Sequence, residues 1–497
     1  MYLILYLLAL AALAVHAPAI VWEPGAREFV IILGVLGAWR YGWGFVHLGR
    51  ALIYRHVVFP EWRRAADALG SGGLPSHVFI VITSYRIRAE TTARVFQAAI
   101  EEAVRYGRPV TIVASVVELA DQRLIKRVFQ NMAPPAQVRL VFVRLPGTGK
   151  RFGLACALRA VSRARPPSDA AVLVMDGDTL LTPGTLTRSL PFLALMPEVD
   201  GITTDEDCVV GAGPVLTAWH RLRFAQRHQY MSSLGLSRRL LAMTGRMSAY
   251  RVTVATDPSF IDAVENDHMD HWRLGRIKLL TGEDKSTWFW LLQHGRGMLY
   301  LPDVRVITIE DPPAKWLLPA STQLMLRWFG NMLRTNRRAL ALGPRRVGLF
   351  TWWCLIDQRL SMWTPLIGPT VALYFTVGRS AVFLYAYLLW IGITRLIQAL
   401  LLLTARPTIS GLYPPLIYFG QVYGALMKTY ILFRLDRQRW TRQNIATQAA
   451  LPPWWARLNA FESAYLHALA LGVVGTFVGW ATNLLSLPRL STLAAMF

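Results

Sequence analysis

Asp176, Gly177 and Asp178 stand at the end of an unbroken apolar run, Ala170 to Met175. Such a run reads as a buried central strand, and in open α/β sheets ligands bind where the strands end. Alternate residues of an extended chain point to one side, so the two carboxylates converge, and the glycine between them lets a ligand approach the backbone closely. Hard carboxylate oxygens of this kind suit Mg²⁺ or Mn²⁺ beside a diphosphate. A strand followed by an acidic turn has the same composition, so the pattern needs company.

Thr281-Gly282-Glu283-Asp284-Lys285 is a second acidic cluster, followed by Trp288 and Trp290. Glu283 and Asp284 offer a carboxylate able to take the proton of an attacking hydroxyl opposite a metal-held diphosphate; Asp284 is the candidate base. The tryptophans read either as an aromatic wall for a sugar face or as core behind a solvated turn. Pro146 to Arg151 is a glycine-containing turn that opens a helix. It is not a Walker A motif, yet its amides and the cations Lys150 and Arg151 suit a diphosphate, as they also suit a plain basic turn. Glu118 and Asp121 follow a second strand, where they would meet a base or ribose hydroxyl or simply start a helix favourably. Arg246, in the glycine turn Thr244 to Ser248, would hold a sugar carboxylate bidentately or form a surface salt bridge. Arg327 and Trp328 lie in a basic, aromatic stretch, Trp316 to Arg338, with the pattern of an amphipathic helix at a membrane face. Asp267, His268 and His271 lack a third metal ligand in sequence.

The elements that must position these groups belong to a membrane protein. Hydrophobic residues make up 54% of 497, mean hydropathy is +0.33, and 53 basic residues against 30 acidic ones give a net charge of +23. Apolar bulk with surplus positive charge points to anionic partners: inner-leaflet lipids, a nucleotide diphosphate or a polyanionic product. No zinc-finger spacing, aromatic RNA-binding signature or long basic tract points to nucleic acid. Cys156, Cys208 and Cys354 are far apart and read as buried thiols in a reducing compartment.

Residues 1–55 hold two apolar segments, read as two N-terminal transmembrane helices. Ala17-Pro18-Ala19 could pass for a cleavage site, but no basic region precedes it, so an uncleaved helix is expected. Arg55, His56, Arg63 and Arg64 place the next stretch of chain in the cytoplasm. Strands alternate with helices through residues 56–311, with no run long enough to span a bilayer. That pitch predicts a cytoplasmic, Rossmann-like α/β domain with a parallel sheet. Residues 312–360 read as interfacial amphipathic helices, 361–404 as two transmembrane helices and 461–497 as a C-terminal one. Residues 405–460 are assigned to an interfacial or re-entrant segment, Gly411 to Phe433, and a basic cytoplasmic loop with Arg434, Arg437, Arg439 and Arg442, because a further crossing would put that loop outside.

Taken together, DGD at Asp176 to Asp178, GED at Gly282 to Asp284 and RW at Arg327-Trp328, flanked by membrane helices, resemble the processive family 2 glycosyltransferases that make cellulose, hyaluronan and chitin. LPGTGKR (Leu145 to Arg151), LRFAQRH (Leu222 to His228), MTGRMS (Met243 to Ser248), LTGEDKS (Leu280 to Ser286), DQRLSMWT (Asp357 to Thr364) and FRLDRQRWTRQ (Phe433 to Gln443) are similar, over nearly the whole chain, to the catalytic subunits of bacterial alginate polymerases, the mannuronan synthases. The resemblance implies a glycosyltransferase type A domain, GDP-mannuronate as donor, a growing β-1,4-linked polymannuronate acceptor, and a divalent metal, Mg²⁺ or Mn²⁺. It also implies an inner-membrane location with synthesis coupled to export, and a separate co-polymerase subunit carrying a cyclic di-GMP receptor domain; this chain has no RxxxR…DxSxxG pair. Carried over by position, Asp178 binds the metal with Asp176 beside it, Asp176 the nucleotide-sugar, Asp284 the acceptor proton, and Arg327 and Trp328 the diphosphate and acceptor sugar.

The cellulose-type QxxRW would place glutamine at 324, where this chain has Leu324, with Gln323 one place early. The first strand ends in Thr83-Ser84-Tyr85-Arg86, without an acidic residue near the nucleotide. Arg246, Lys285 and Arg395 are candidates for contact with uronate carboxylates. Competing readings are a hyaluronan-, chitin- or cellulose-type synthase using a UDP-sugar, a single-transfer enzyme acting on a lipid carrier, and a non-enzymatic membrane scaffold or transporter with a transferase-like domain.

Overall fold

The four apolar runs form strands β1 (Val78–Ser84), β2 (Val110–Val116), β3 (Val138–Arg144) and β4 (Ala171–Asp176), joined by helices Ala89–Tyr106, Leu119–Met132 and Lys150–Arg163. The first of these helices buries Val95, Phe96, Ala99, Ile100 and Ala103 on one face, and Gly107, at φ +74, ends it ahead of Pro109. Every residue of β2 is buried, whereas β3 alternates as an edge strand does. These strands come from a computed structural model that describes residues 1–18, 21, 27–147, 149–440, 445–446, 453–483 and 485, with side chains undescribed at 27–33, 439–440, 445–446 and 453. The polar turn from Glu23, Thr148 of the Pro146–Arg151 turn and Arg442 of the basic loop lie outside or at the margin of the described residues.

Two compact units emerge. One comprises His47–Ile356 and Leu435–Ala449; the other Met1–Val46, Asp357–Arg434 and Ala450–Phe497. The first unit holds an eight-stranded sheet in the order β3-β2-β1-β4-β7-β6-β10-β5, adding β5 (Thr179–Leu180), β6 (Val199–Val210), β7 (Ser248–Arg251) and β10 (Gly297–Glu310), while β8 (His268–His271) and β9 (Gly275–Lys278) form a separate hairpin. The expected parallel sheet is therefore corrected to a mixed one: β7 runs antiparallel to both β4 and β6, and β5 antiparallel to β10. β5 is two residues long and follows β4 directly through the Gly177-Asp178 turn, while the four-residue β7 is reached from β6 through the helix Pro214–Gly235 and the loop after it. Helix Leu317–Ala341 closes this unit on one face, where Arg334 donates through Nε to the Leu435 carbonyl at 3.0 Å and Asn336 through Nδ2 to the Leu355 carbonyl at 2.9 Å. Trp316, Leu318 and Leu326 on or beside it are exposed.

In the second unit, the first apolar segment is a helix of 14 residues, Tyr2–Val15, shorter than the length that spans a bilayer. Three stretches are long and apolar enough to cross a membrane among the described residues: Leu349–Gly378, which begins in the first unit and turns between Leu360 and Thr364, Val382–Thr404 and Trp454–Ala481. They make the chain membrane-associated. Gly411 to Phe433, expected to be interfacial or re-entrant, holds one continuous helix, Tyr413–Leu432, whose Gln421 Nε2 donates to Gln398 Oε1 at 3.2 Å. Arg395 donates to the Tyr41 hydroxyl at 3.1 Å, and Arg40 Nη1 lies 2.5 Å from Asp357 Oδ1.

Candidate active site

Asp176 is the last residue of β4, aligned with Thr83 of β1. Gly177 continues that contact: its N–H donates to the Thr83 carbonyl at 3.0 Å, and a Cβ there would stand 2.7 Å from the same oxygen and 2.8 Å from Ile87 Cδ1. The expectation that Gly177 leaves room for a ligand is thus corrected; the backbone it admits is that of β1. The Asp178 carbonyl accepts from the Ile309 N–H at 2.8 Å, which ties the far side of the DGD turn to β10.

Three segments converge on Asp176. Gly149, at φ +119, starts the helix that begins with Lys150, whose ammonium lies 2.5 Å from Asp176 Oδ1 and also pairs with Glu283 Oε1. Gly245 packs its Cα against the same carboxylate, since a Cβ there would lie 2.9 Å from Asp176 Oδ2. Gly282, at φ +85, opens the helix Glu283–Gln293 and fits against Asn331, 2.7 Å from a hypothetical Cβ to its Cγ. Lys150, Asp176, Gly245, Glu283 and Asp284 consequently line one recess with Thr83 and Tyr250.

Electrostatics separate the two carboxylates of GED. Burial alone would raise Glu283, but the Lys150 ammonium, helped by Arg151, holds it below the usual glutamate range. Asp284 is raised, by burial first and by the Glu283 charge next. Burial also works against the Lys150 charge, yet Asp176 and Glu283 outweigh it and keep the ammonium protonated well beyond its ordinary range. The result is a firmly ionised clamp beside one carboxylate of elevated basicity.

Other expected residues have different surroundings. Arg151 is 5% exposed and turns inward, its terminal nitrogens donating to the Thr281 carbonyl at 2.9 Å, the Val264 carbonyl at 2.9 Å and Ser286 Oγ at 3.0 Å. It holds the GED turn in place instead of facing a diphosphate. Trp288 and Trp290 are core residues whose indoles donate to the Leu240 carbonyl at 2.7 Å and Ser259 Oγ at 3.0 Å, so no aromatic wall stands beside Asp284 from them. Lys285 donates to the Leu241 carbonyl at 2.6 Å, and burial pulls its pKa down to about 8. Arg246 pairs with Glu310 at 2.7 Å and Glu206 at 3.4 Å, and Asp178 contributes to the field that keeps it charged. Glu118 is exposed and Asp121 half-buried at the start of the Leu119–Met132 helix, outside the recess around Asp176. Burial and Glu118 raise Asp121.

Trp328 stacks on Trp219 with ring centres 6.0 Å apart and a 25° angle, and Arg223 lies over the Trp328 ring at 3.5 Å; Arg327 is 5.9 Å from it. Trp219, Arg223, Glu206 and Glu310 were not singled out from sequence. The available signal was the four-residue spacing of Trp219, Arg223 and Arg227, which puts them on one helix face.

A mixed α/β sheet presents two acidic turns to one recess, the arrangement expected of a transferase acting on activated sugars. Residues 75–331 match the family described as glycosyltransferase like family 2. The "Glycosyltransferase alg8" of Pseudomonas syringae pv. tomato (strain ATCC BAA-871 / DC3000) is 47% identical over 458 residues, 92% of this chain and 93% of that protein. Its namesake from Azotobacter vinelandii is 44% identical over 461 residues, 93% of each. The chain belongs to glycosyltransferase family 2. Among solved structures, the mannosyltransferase PcManGT from Pyrobaculum calidifontis in complex with GDP-Man and Mn²⁺ aligns at a TM-score of 0.43 and 16% identity, covering 80% of this chain and 98% of that one.

Proposed function

We propose that the chain is an inverting, processive glycosyltransferase that polymerises mannuronate from GDP-mannuronate into β-1,4-linked polymannuronate, seated in the bacterial inner membrane with its transferase unit in the cytoplasm. The observation that carries this reading is the Lys150 bridge from Asp176 to Glu283, which joins the DGD and GED turns and sets Asp284 beside them. The substrate assignment rests on the segment resemblances and is supported by the net charge of +23, since a polyuronate carries one negative charge per sugar.

Asp284 accepts the proton of the acceptor hydroxyl as that oxygen bonds to the donor's anomeric carbon. The bond from that carbon to the diphosphate oxygen breaks, its electron pair leaves with GDP, and the configuration inverts. A carboxylate raised above the ordinary aspartate range is the better base for this step. Glu283 stays ionised to hold Lys150 in place, and Arg151 holds the turn from below. Asp178 and Asp176 are hard oxygen donors two residues apart, of the chemistry that would hold Mg²⁺ or Mn²⁺ beside a substrate diphosphate. When bound, such an ion neutralises charge on the departing diphosphate. We assign Glu118 and Asp121 to the nucleoside from their position after the second strand, and Arg327 and Trp328 to diphosphate and acceptor from the family resemblance. A co-polymerase subunit with a cyclic di-GMP receptor domain completes the assembly, and the membrane helices couple synthesis to export.

The test is polymer synthesis by membranes containing the full chain and its co-polymerase, given labelled GDP-mannuronate, Mg²⁺ and cyclic di-GMP. High-molecular-weight product digestible by alginate lyase is expected. Turnover of a UDP-sugar with none of GDP-mannuronate would select a hyaluronan-, chitin- or cellulose-type reaction.

A further inference from the structure

Helix Pro214–Gly235 places Trp219, Arg223 and Arg227 on one face, but the two arginines differ in what surrounds them. Arg227 lies 3.4 Å from Glu206. Glu206 and Glu310 are the carboxylates that hold Arg246. Arg223 makes no hydrogen bond and no ion pair among the described residues; its contacts are the Trp328 ring at 3.5 Å and the Trp219 ring at 5.0 Å. It is half-buried, and burial together with the nearby Arg246 charge pulls its pKa down to about 9. Glu310 is the carboxylate in its field, but Glu310 is already paired with Arg246 at 2.7 Å, so Arg223 has no ion-pair partner of its own.

A guanidinium stacked by its face on an aromatic ring keeps its N–H edges for a planar, bidentate partner. Stacking also fixes the rotamer, so the ordering cost of binding is already met. The location joins this group to both acidic turns. Arg246, its electrostatic neighbour, follows Gly245, which packs on Asp176. Trp328 shares a helix with Asn331, which packs on Gly282 and accepts a hydrogen bond from Thr281 Oγ1 at 3.0 Å.

We propose that Arg223, stacked on Trp328, grips the carboxylate of a uronate unit in the acceptor strand and thereby selects acidic over neutral acceptors. This rests on the polyuronate reading above. The surplus of cations at this point is what distinguishes a site for acidic sugar from one for neutral sugar: a neutral acceptor would leave the Arg223 guanidinium half-buried and unmatched, whereas a carboxylate completes it. A diphosphate presents the same paired anionic oxygens, so the experiment separates the two.

The full chain, with its co-polymerase, is assayed in membrane nanodiscs for equilibrium binding of three probes: a β-1,4-mannuronate hexamer, the neutral β-1,4-mannohexaose, and GDP. The wild type is expected to prefer the acidic hexamer. Arg223→Gln should lower that affinity by about tenfold to a hundredfold, the value of a charge-assisted bidentate contact, and leave mannohexaose and GDP affinities near wild type. Arg223→Lys should recover only part, because an ammonium offers a point charge in place of a fork. Unchanged affinity of Arg223→Gln for the acidic hexamer overturns the proposal. Loss of GDP affinity in parallel, with mannohexaose binding kept, assigns Arg223 to the diphosphate and overturns it too. Should Arg223→Gln lose all three probes through misfolding, Arg223→Lys decides: full affinity for the acidic hexamer overturns the proposal, a partial loss with GDP binding intact supports it. A wild type that binds mannohexaose as tightly as the acidic hexamer removes the polyuronate reading itself, a failure distinct from that of Arg223 alone.

Discussion

Lys150 Nζ lies 2.5 Å from Asp176 Oδ1, joining the first residue of one helix to the last residue of the central strand. The same ammonium pairs with Glu283, so a single cation positions both acidic turns of the transferase unit. With the positions of Asp176 and Glu283 set in this way, Asp284 is carried to the recess by the helix that Glu283 begins.

Replacing Lys150 with Met leaves two carboxylates facing each other without a counter-charge. Loss of about 3 kcal/mol of stability is expected, read from the unfolding midpoint in detergent micelles. The pH dependence has a definite sign. Glu283 is lowered in the folded state, so its contribution is present above its ordinary value of 4.5 and is lost as pH falls through the folded value. Lys150 is raised, so its contribution is present below its ordinary value of 10.5 and is lost as pH rises through the folded value. The deficit of Lys150→Met should therefore be flat through neutral pH and shrink as pH falls below 4.5 and through the folded value of Glu283.

Initial rates of sugar transfer should show an acid limb above the ordinary aspartate value of 3.8, because Asp284 is raised and must be ionised to accept a proton. Glu283, held low, does not supply that limb. A rate profile level down to pH 4 would speak against Asp284 as the base.

Arg151→Met should cost about 3 kcal/mol through the stranded Thr281 and Val264 carbonyls, and lower turnover by loosening the GED turn. GDP affinity should stay within about twofold of wild type, since the guanidinium faces inward. Affinity measured on the folded variant checks this; a tenfold loss would return Arg151 to the diphosphate.

Gly177→Ala places a methyl 2.7 Å from a strand backbone oxygen that has no room to move. The joined ends of β1 and β4 must separate, so nucleotide binding and turnover should fall together, with a destabilisation of about 2 kcal/mol or more. Substitution at Gly213, where a Cβ meets nothing within 4 Å, is the matched control.

What could be read from sequence was local. The apolar run before Asp176 declares its strand, and the spacing of Val95, Ala99 and Ala103 declares a helix face, because both patterns repeat within one element. The roles that reversed depend on distant residues. Arg151 looks like a phosphate ligand until Val264 and Thr281, more than a hundred positions on, are seen to engage it. Gly177 looks open until Thr83 closes over it. Trp288 and Trp290 carry no sign of which element covers them, and the four-residue β7 is too short for its direction to be read. Arg223 had a visible helical spacing, but its lack of a carboxylate partner is a fact of three dimensions.

The most direct measurement is polymer formation from labelled GDP-mannuronate by Asp284→Asn, beside GDP binding to the same preparation. Removing a general base while keeping the Lys150 clamp should lower the rate by about 10²-fold to 10⁴-fold with GDP affinity unchanged. A variant that binds GDP normally and still makes lyase-digestible polymer within about tenfold of the wild-type rate would contradict the assignment of Asp284 and the site built around it.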